Sequence, residues 1–349
     1  MRHHNNFDAI RLFAAFLVVL GHAYVLDGFR APQLWAIPVH SVGLFIFFAL
    51  SGYLVTDSWQ RDPNVLRFVT KRALRIFPGL TGAVLFTAFI IGPVYSRVPL
   101  QTYFTHSQFF DYFANIALYA NDVLPAVFTA NKVPNSVNGS LWTLPVEFFC
   151  YLTVIFFALL SKVRIIVLVI SSLVISGSYF YLQYSRPDLN VLVYNVWLQS
   201  ALLIIPFFFA GSALRLLQEK LPLRTDLAIV GFLLTIPFGV FPLSASMERA
   251  TPILLVFVLT YGVVVFGTAS YPGIRRAARF GDFSYGLYLY AFPIQQIIGQ
   301  ISAGRLSPEA MLIITLPVTL LLAVISWHFV EQPALRIKHV IQRRLAPVM

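Results

Sequence analysis

"FDAIRLFAAFLVVLGHAYVL", residues 7–26, has the length and apolar content of a membrane-spanning helix, yet it carries Asp8, Arg11 and His22. About 20 mostly apolar residues cross the hydrocarbon core of a bilayer. The step from Arg11 to His22 is close to three helical turns. It leaves the two on one helix face, about 20° apart around the axis and roughly 16 Å apart along it. Asp8 shares that face, one turn before Arg11. No small-residue cleavage site follows the stretch, so it reads as a retained span and not as a signal peptide.

The rest of the chain agrees with that reading. Of 349 residues, 58% are hydrophobic and only 11% are charged, where a soluble domain carries about 25% charged residues. The class is an all-α polytopic membrane protein, in contact with the lipid bilayer. Ten apolar segments are expected to span it, at about 7–26, 39–58, 77–96, 140–160, 164–182, 191–214, 227–243, 251–269, 283–302 and 310–330. The net charge of +11 does not point to nucleic acid, because the cations follow the connecting segments. One side holds Arg2, Arg61, Arg67, Lys71, Arg72, Arg75, Lys162, Arg164, Arg215, Lys220, Arg224, Arg275, Arg276, Arg279, Arg336, Lys338, Arg343 and Arg344. The other holds Arg30, Arg97, Lys132, Arg186, Arg249 and Arg305. The positive-inside rule then puts both termini in the cytoplasm. Residues 1–335 read as one membrane domain and 336–349 as a basic cytoplasmic tail. The long external stretch, about 97–139, reads as an interfacial helix or a plug over a cavity. No internal repeat stands out. The lone cysteine, Cys150, lies in an apolar run and excludes an intrachain disulfide.

Ionisable residues inside spans are costly and mark functional sites by default. Arg11 and His22 are two such residues, although Arg11 could also snorkel to the headgroups. Glu147, in "NGSLWTLPVEFFCYL" (138–152), is a third, about 10 Å from the outer start of its span. A carboxylate beside a histidine fixes its tautomer and raises its basicity, as a general base requires. A structural ion pair between Glu147 and Arg11 is the alternative. Pro145 is expected to loosen the helix there and free backbone groups. "VTKRALRIFPGL" places Arg72 and Arg75 on one helix face just before the third span. Paired guanidinium groups suit phosphate, and positive-inside decoration explains them equally. "FFALSGYL" brings Ser51 and "GDFSYGLYLYAFPIQQ" brings Ser284, Tyr285 and Tyr288 to the inner ends of their spans, where small residues also serve helix packing.

Taken in order, these stretches resemble the acyltransferase 3 family of integral membrane acyltransferases, bacterial enzymes that O-acylate cell-surface or exported glycans. "FDAIRLFAAFLVVLGH" is similar to its opening signature, "HSVGLFIFFALSGYLV" to its second helix, "KRALRIFP" to its basic motif and "SLWTLPVEFFCYL" to its Trp–Glu pattern on Trp142 and Glu147. "FSYGLYLYAFPIQQ" and "EQPALRI" complete the set, with Ala291 where many members have histidine. The resemblance implies His22, Arg11 and Glu147 as catalytic residues. It implies an acyl-CoA donor, with acetyl the default acyl group, held by Arg72 and Arg75, its arm passing Ser51, Ser284 and Tyr288. His22 would act as general base or accept the acyl group itself. The acceptor would be a glycan or glycolipid hydroxyl, with polysaccharide-assembly proteins as candidate partners, in the bacterial inner membrane. No appended extracytoplasmic esterase-like domain is expected. No metal-ligand cluster is present in the sequence, so no metal is expected. The competing readings are a transporter or flippase for an exported polysaccharide or lipid-linked sugar, and a structural subunit of an export complex.

Overall fold

A computed structural model describes residues 5–337 apart from 161, 162, 187, 242, 243 and 278. Arg2, Lys162, Lys338, Arg343, Arg344 and the tail beyond 337 lie outside the described residues. The described chain is almost entirely helical: α1 (Phe7–Leu26), a hairpin of β1 (Gln33–Leu34) and β2 (Ile37–Pro38), α2 (Val39–Arg61), α3 (Val65–Phe86), α4 (Gly92–Tyr95), α5 (Leu100–Thr105), α6 (Ser107–Asp111) and α7 (Thr143–Leu159). There follow α8 (Arg164–Ser185), a hairpin of β3 (Leu192–Val193) and β4 (Val196–Trp197), α9 (Leu198–Leu217), α10 (Thr225–Thr235), α11 (Pro237–Val240), α12 (Ala245–Thr268), α13 (Ser284–Ile301) and α14 (Pro308–Ser326). Seven of these helical runs are long and apolar enough to cross a membrane. They are α1, α2, Val65–Tyr95, α8, α9, Ala250–Thr268 and Pro308–Ile337. The chain is a multi-pass membrane protein of the all-α class. Three expected spans fall short of that length and hydropathy: α7 with 17 residues, the α10–α11 run broken at Pro237, and α13, which carries Gln295, Gln296 and Gln300.

The contacts divide the chain into two units. The first holds residues up to Ala14, Gln33–Phe68 and Val146–Phe280; the second holds Ala15–Pro32, Val69–Pro145 and the chain from Gly281.

In the first unit α2 and α9 pack closely. A Cβ on Gly52 would overlap the Phe208 carbonyl oxygen, and one on Gly211 would overlap that of Ala49. Absence of a side chain lets the two backbones touch, the packing mode membrane helices use when no hydrophobic drive separates helix from lipid. Phe45 stacks on Phe207 with ring centroids 4.1 Å apart. Toward the C-terminal ends, Tyr53 donates to Gln218 Oε1 at 2.7 Å and Arg215 Nε meets Asp57 Oδ1 at 2.9 Å. Contacts that advance together along both helices make α2 and α9 parallel.

The two glycine contacts are reciprocal, and the reciprocity exposes a repeat. Leu26 to Ser185, Trp35-Ala36 to Tyr194-Asn195, Val39 to Leu198 and Gly52 to Gly211 are all the same displacement along the chain. Each pair marks the same point in a helix–hairpin–helix order: the last residue of the first helix, the hairpin turn, the start of the second helix, its contact glycine. Trp35, Ala36, Tyr194 and Asn195 all have φ between 54° and 60°, the left-handed pair of a two-residue type I′ hairpin. The sequence reading had found no repeat. What repeats is backbone geometry, carried by dissimilar side chains.

In the second unit, α3 continues through a π turn at Thr87–Ile91 into α4. The cause is Pro93, which has no N–H to return. Gly92 N–H bonds Thr87 O instead, so the Ala88 carbonyl loses its helical donor and takes the Tyr103 hydroxyl at 2.7 Å. A Cβ on Gly92 would overlap that hydroxyl. A second π turn, Trp327–Glu331, precedes Pro333. Instead of one interfacial helix, 97–139 folds as α5, α6, a 3-10 turn at Tyr112–Ala117 and an irregular run. Side-chain bonds pin this run to α13: Asn131 to Gln296, Gln296 to the carbonyls of Val133 and Ser136, and Asn138 to the Leu289 carbonyl.

Candidate active site

α1 crosses the boundary between the units, with Arg11 in the first and His22 in the second. Arg11 Nη1 meets Asp8 Oδ1 at 2.8 Å, one turn earlier on the same helix. Both side chains keep part of their surface exposed. His22 is half-buried, and its ring meets Phe292 edge-on with centroids 5.3 Å apart.

Glu147 belongs to the first unit. Its Oε1 accepts from Ser51 Oγ at 3.1 Å and from the Tyr151 hydroxyl. Tyr151 lies one turn on, at the i+4 spacing that pairs side chains along a helix, and the sequence reading passed over it. Two expectations change here. α7 starts at Thr143, so Pro145 sits in the first turn, where a missing N–H costs no bond. Pro145 therefore opens the helix and frees no backbone group. Glu147 lies about 6 Å from the helix start, nearer than the sequence suggested.

The basic motif stands on a helix, as expected: α3 begins at Val65, and Lys71, Arg72 and Arg75 lie in its first half. Arg75 is held by acids of the second unit. Its Nη2 is 2.7 Å from Asp282 Oδ2 and its Nη1 is 3.7 Å from Glu331 Oε2. Its guanidinium lies 5.4 Å from the Tyr285 ring centre, and the Tyr285 hydroxyl donates to the Ile76 carbonyl at 2.8 Å. Glu331 is 2% exposed and takes a further bond from Ser326. Asp282 and Glu331 were not singled out in the sequence. Both stand in quoted motifs, but their partner is more than 200 positions away, beyond the reach of spacing arguments.

The remaining predicted hydroxyls have local partners. Ser284 Oγ donates to Asp282 Oδ1 at the start of α13. The Tyr288 hydroxyl donates to the Ser140 carbonyl at 2.6 Å and meets Thr143 Oγ1. Ser284 and Tyr288 thus fix walls: one supports the acid on Arg75, the other holds the segment that leads into α7.

One helix ties the second unit's two clusters together. Tyr285 touches Arg75 and Phe292 touches His22. Seven residues of α13 separate them, two turns that return to the same face with about 10 Å of rise. A cation held by two acids and a histidine thus stand along one helix face.

A protein-family model described as an acyltransferase domain matches residues 4–328. The chain belongs to the acyltransferase 3 family. This acyltransferase 3 chain is 29% identical over 341 residues to an O-acetyl transferase of Shigella phage Sf6, covering 95% of this chain and 96% of that protein. It is 28% identical over 372 residues to nodulation protein 10 of Rhizobium leguminosarum bv. viciae, covering 99% and 97%. With the peptidoglycan O-acetyltransferase OatA of Listeria monocytogenes it shares 22% over 358 residues, 88% of this chain and 55% of that protein. No solved structure matches it. Membership in the acyltransferase 3 family makes the protein a membrane O-acyltransferase, and it sets aside the transporter and structural-subunit readings.

Proposed function

We propose that this acyltransferase 3 protein moves a short acyl group, by default acetyl, from cytoplasmic acyl-CoA to a hydroxyl of a cell-surface or exported glycan. The observation that carries the reading is the face of α13 that presents Arg75 at Tyr285 and His22 at Phe292. The extended pantetheine arm of CoA reaches across the ~10 Å between them. Phosphate groups would sit by Arg72 and Arg75, Arg75 exchanging its Asp282 contact for phosphate. The acyl thioester would lie toward His22. Ser51 belongs to the Glu147 cluster, and Ser284 and Tyr288 shape the passage through their partners.

His22 takes the proton of the acceptor hydroxyl as the oxygen attacks the thioester carbonyl. The new C–O bond forms as the C–S bond breaks, and CoA leaves as the thiolate that takes up that proton. Glu147, held by Ser51 and Tyr151, is a further catalytic residue that the family resemblance implies. Arg11, bridged to Asp8, is the third residue that the resemblance implies, as a source of positive charge. The full-length likeness to an O-acetyl transferase, and the likeness to a peptidoglycan O-acetyltransferase, support an acetyl group and a glycan acceptor.

The parallel pairing of α2 and α9 supports ten spans. Two parallel spans need an odd number of crossings between them, and α3, α7 and α8 supply three. α7 therefore counts as a span, at about 25 Å. With α10–α11, α12, α13 and α14 the total is even, so both termini share one side. The cation distribution supports the cytoplasm of a bacterial inner membrane as that side.

Sealed inside-out and right-side-out membrane vesicles, each given labelled acetyl-CoA, test the reading. Label is expected in vesicle glycan from the inside-out preparation alone. Absence of label from both, or equal labelling of both, would overturn the proposal.

A further inference from the structure

Gln295 is fully buried, 0% exposed, in the middle of α13. Its Nε2 donates to the Val19 carbonyl at 2.8 Å. In α1 that carbonyl also serves the helical bond to Ala23, so the amide is anchored on the turn that carries His22. Phe292, one turn back along α13, packs against the His22 ring. The other end of the Gln295 amide, Oε1, has no hydrogen-bond donor. A buried acceptor left without a donor costs about 1–3 kcal/mol, and an apolar side chain would avoid that cost. Beside a proposed catalytic base, the orphan oxygen marks a place for a donor that arrives with substrate.

The chemistry of the two substrates decides which one brings it. The thioester and its acyl group, the parts of the donor that must lie at His22, have no N–H or O–H, and the nearest donor N–H, the pantetheine amide, is two methylenes beyond the sulfur, on the side that leads back to Arg75 and away from Gln295. The hydroxyl that reacts gives its proton to His22. The donor left over is another hydroxyl of the acceptor, next to the one being acylated. Asp27 Oδ2 and Gln300 Oε1, on segments that follow His22 in α1 and Gln295 in α13, are likewise buried acceptors without donors. Asp27 is 4% exposed, and burial holds its carboxyl above the usual range while Lys132 pulls it back.

We propose that Gln295 binds the acceptor, its Oε1 taking a hydrogen bond from a hydroxyl adjacent to the reacting one, so that the enzyme selects acceptors with neighbouring hydroxyls. This rests on His22 being the base, as argued above.

The test uses the full-length protein in membrane vesicles with labelled acetyl-CoA and the cell's own envelope glycan, comparing wild type, Gln295→Met, Gln295→Glu and His22→Ala. Methionine fills the same volume and strands nothing, because Val19 keeps its helical bond. Gln295→Met is expected to keep the wild-type thermal midpoint or exceed it. It should lose transfer at least tenfold, with the KM for acetyl-CoA unchanged within twofold. A protonated glutamate retains both the donor to Val19 and the acceptor oxygen, so Gln295→Glu should recover most of the loss. Transfer by Gln295→Met within twofold of wild type would overturn the proposal. So would a loss that appears as a raised KM for acetyl-CoA, or one that tracks a lowered midpoint. Equal transfer by wild type and His22→Ala would remove the base assignment and this inference with it; a difference there with an unaffected Gln295→Met removes this inference alone.

Discussion

Arg72 and Arg75 share a motif and a helix face, but their surroundings make them unequal. Arg75 neutralises Asp282 and the nearly fully buried Glu331. Removing one partner of a buried ion pair leaves an uncompensated charge and costs on the order of a few kcal/mol. Arg75→Ala should therefore lower the thermal midpoint in detergent. Arg72→Ala should weaken acetyl-CoA binding. Adding Glu331→Gln to Arg75→Ala should restore part of the stability. A midpoint for Arg75→Ala equal to that of wild type would contradict the pairing. At this scale the sequence revealed residues that are chemically out of place, such as Arg11, His22 and Glu147 in apolar stretches. It did not reveal who faces whom. Helical spacing put Asp8 on the face of Arg11, where the two pair, while the ion pair weighed for Arg11 in the sequence was with Glu147. Asp282, Glu331 and Gln295 were not visible, because their partners come from distant helices.

Between elements, α2 and α9 cross backbone to backbone at Gly52 and Gly211. A methyl at either position meets a backbone carbonyl, which cannot rotate aside as a side chain can. Overpacking of this kind costs about 1–3 kcal/mol, so Gly52→Ala and Gly211→Ala should each reduce thermal stability and the monodisperse fraction in detergent. Both contacts belong to one interface. Once the first methyl has parted the helices the second meets less resistance, and the double variant should lose less than the sum. Full additivity would mean the two glycines do not share a contact. Helix α1 was legible to the residue, since uninterrupted apolar length decides it. The hairpins were not legible, because Trp35-Ala36 and Tyr194-Asn195 lack the glycine that usually marks a type I′ turn. The π turns were hidden because a proline signals a break, whereas here a shifted bond pattern and the Tyr103 hydroxyl carry the helix past it.

For the whole molecule, hydropathy and charge placement were enough to read a multi-pass helical protein, and motif order was enough to read its family. The repeat escaped because it preserves backbone contacts and element order while side chains diverge. Its reciprocal crossing supplies a relative direction for α2 and α9 that hydropathy cannot. All of these levels converge on one chemical claim: α1 delivers a base, His22, to an acyl group brought from the side of Arg75. The measurement is label transfer from acetyl-CoA to envelope glycan in membranes holding matched amounts of folded wild-type and His22→Ala protein. A general base contributes about 10²–10⁴-fold, so His22→Ala should transfer at least a hundredfold more slowly; incorporation equal to wild type would contradict the account.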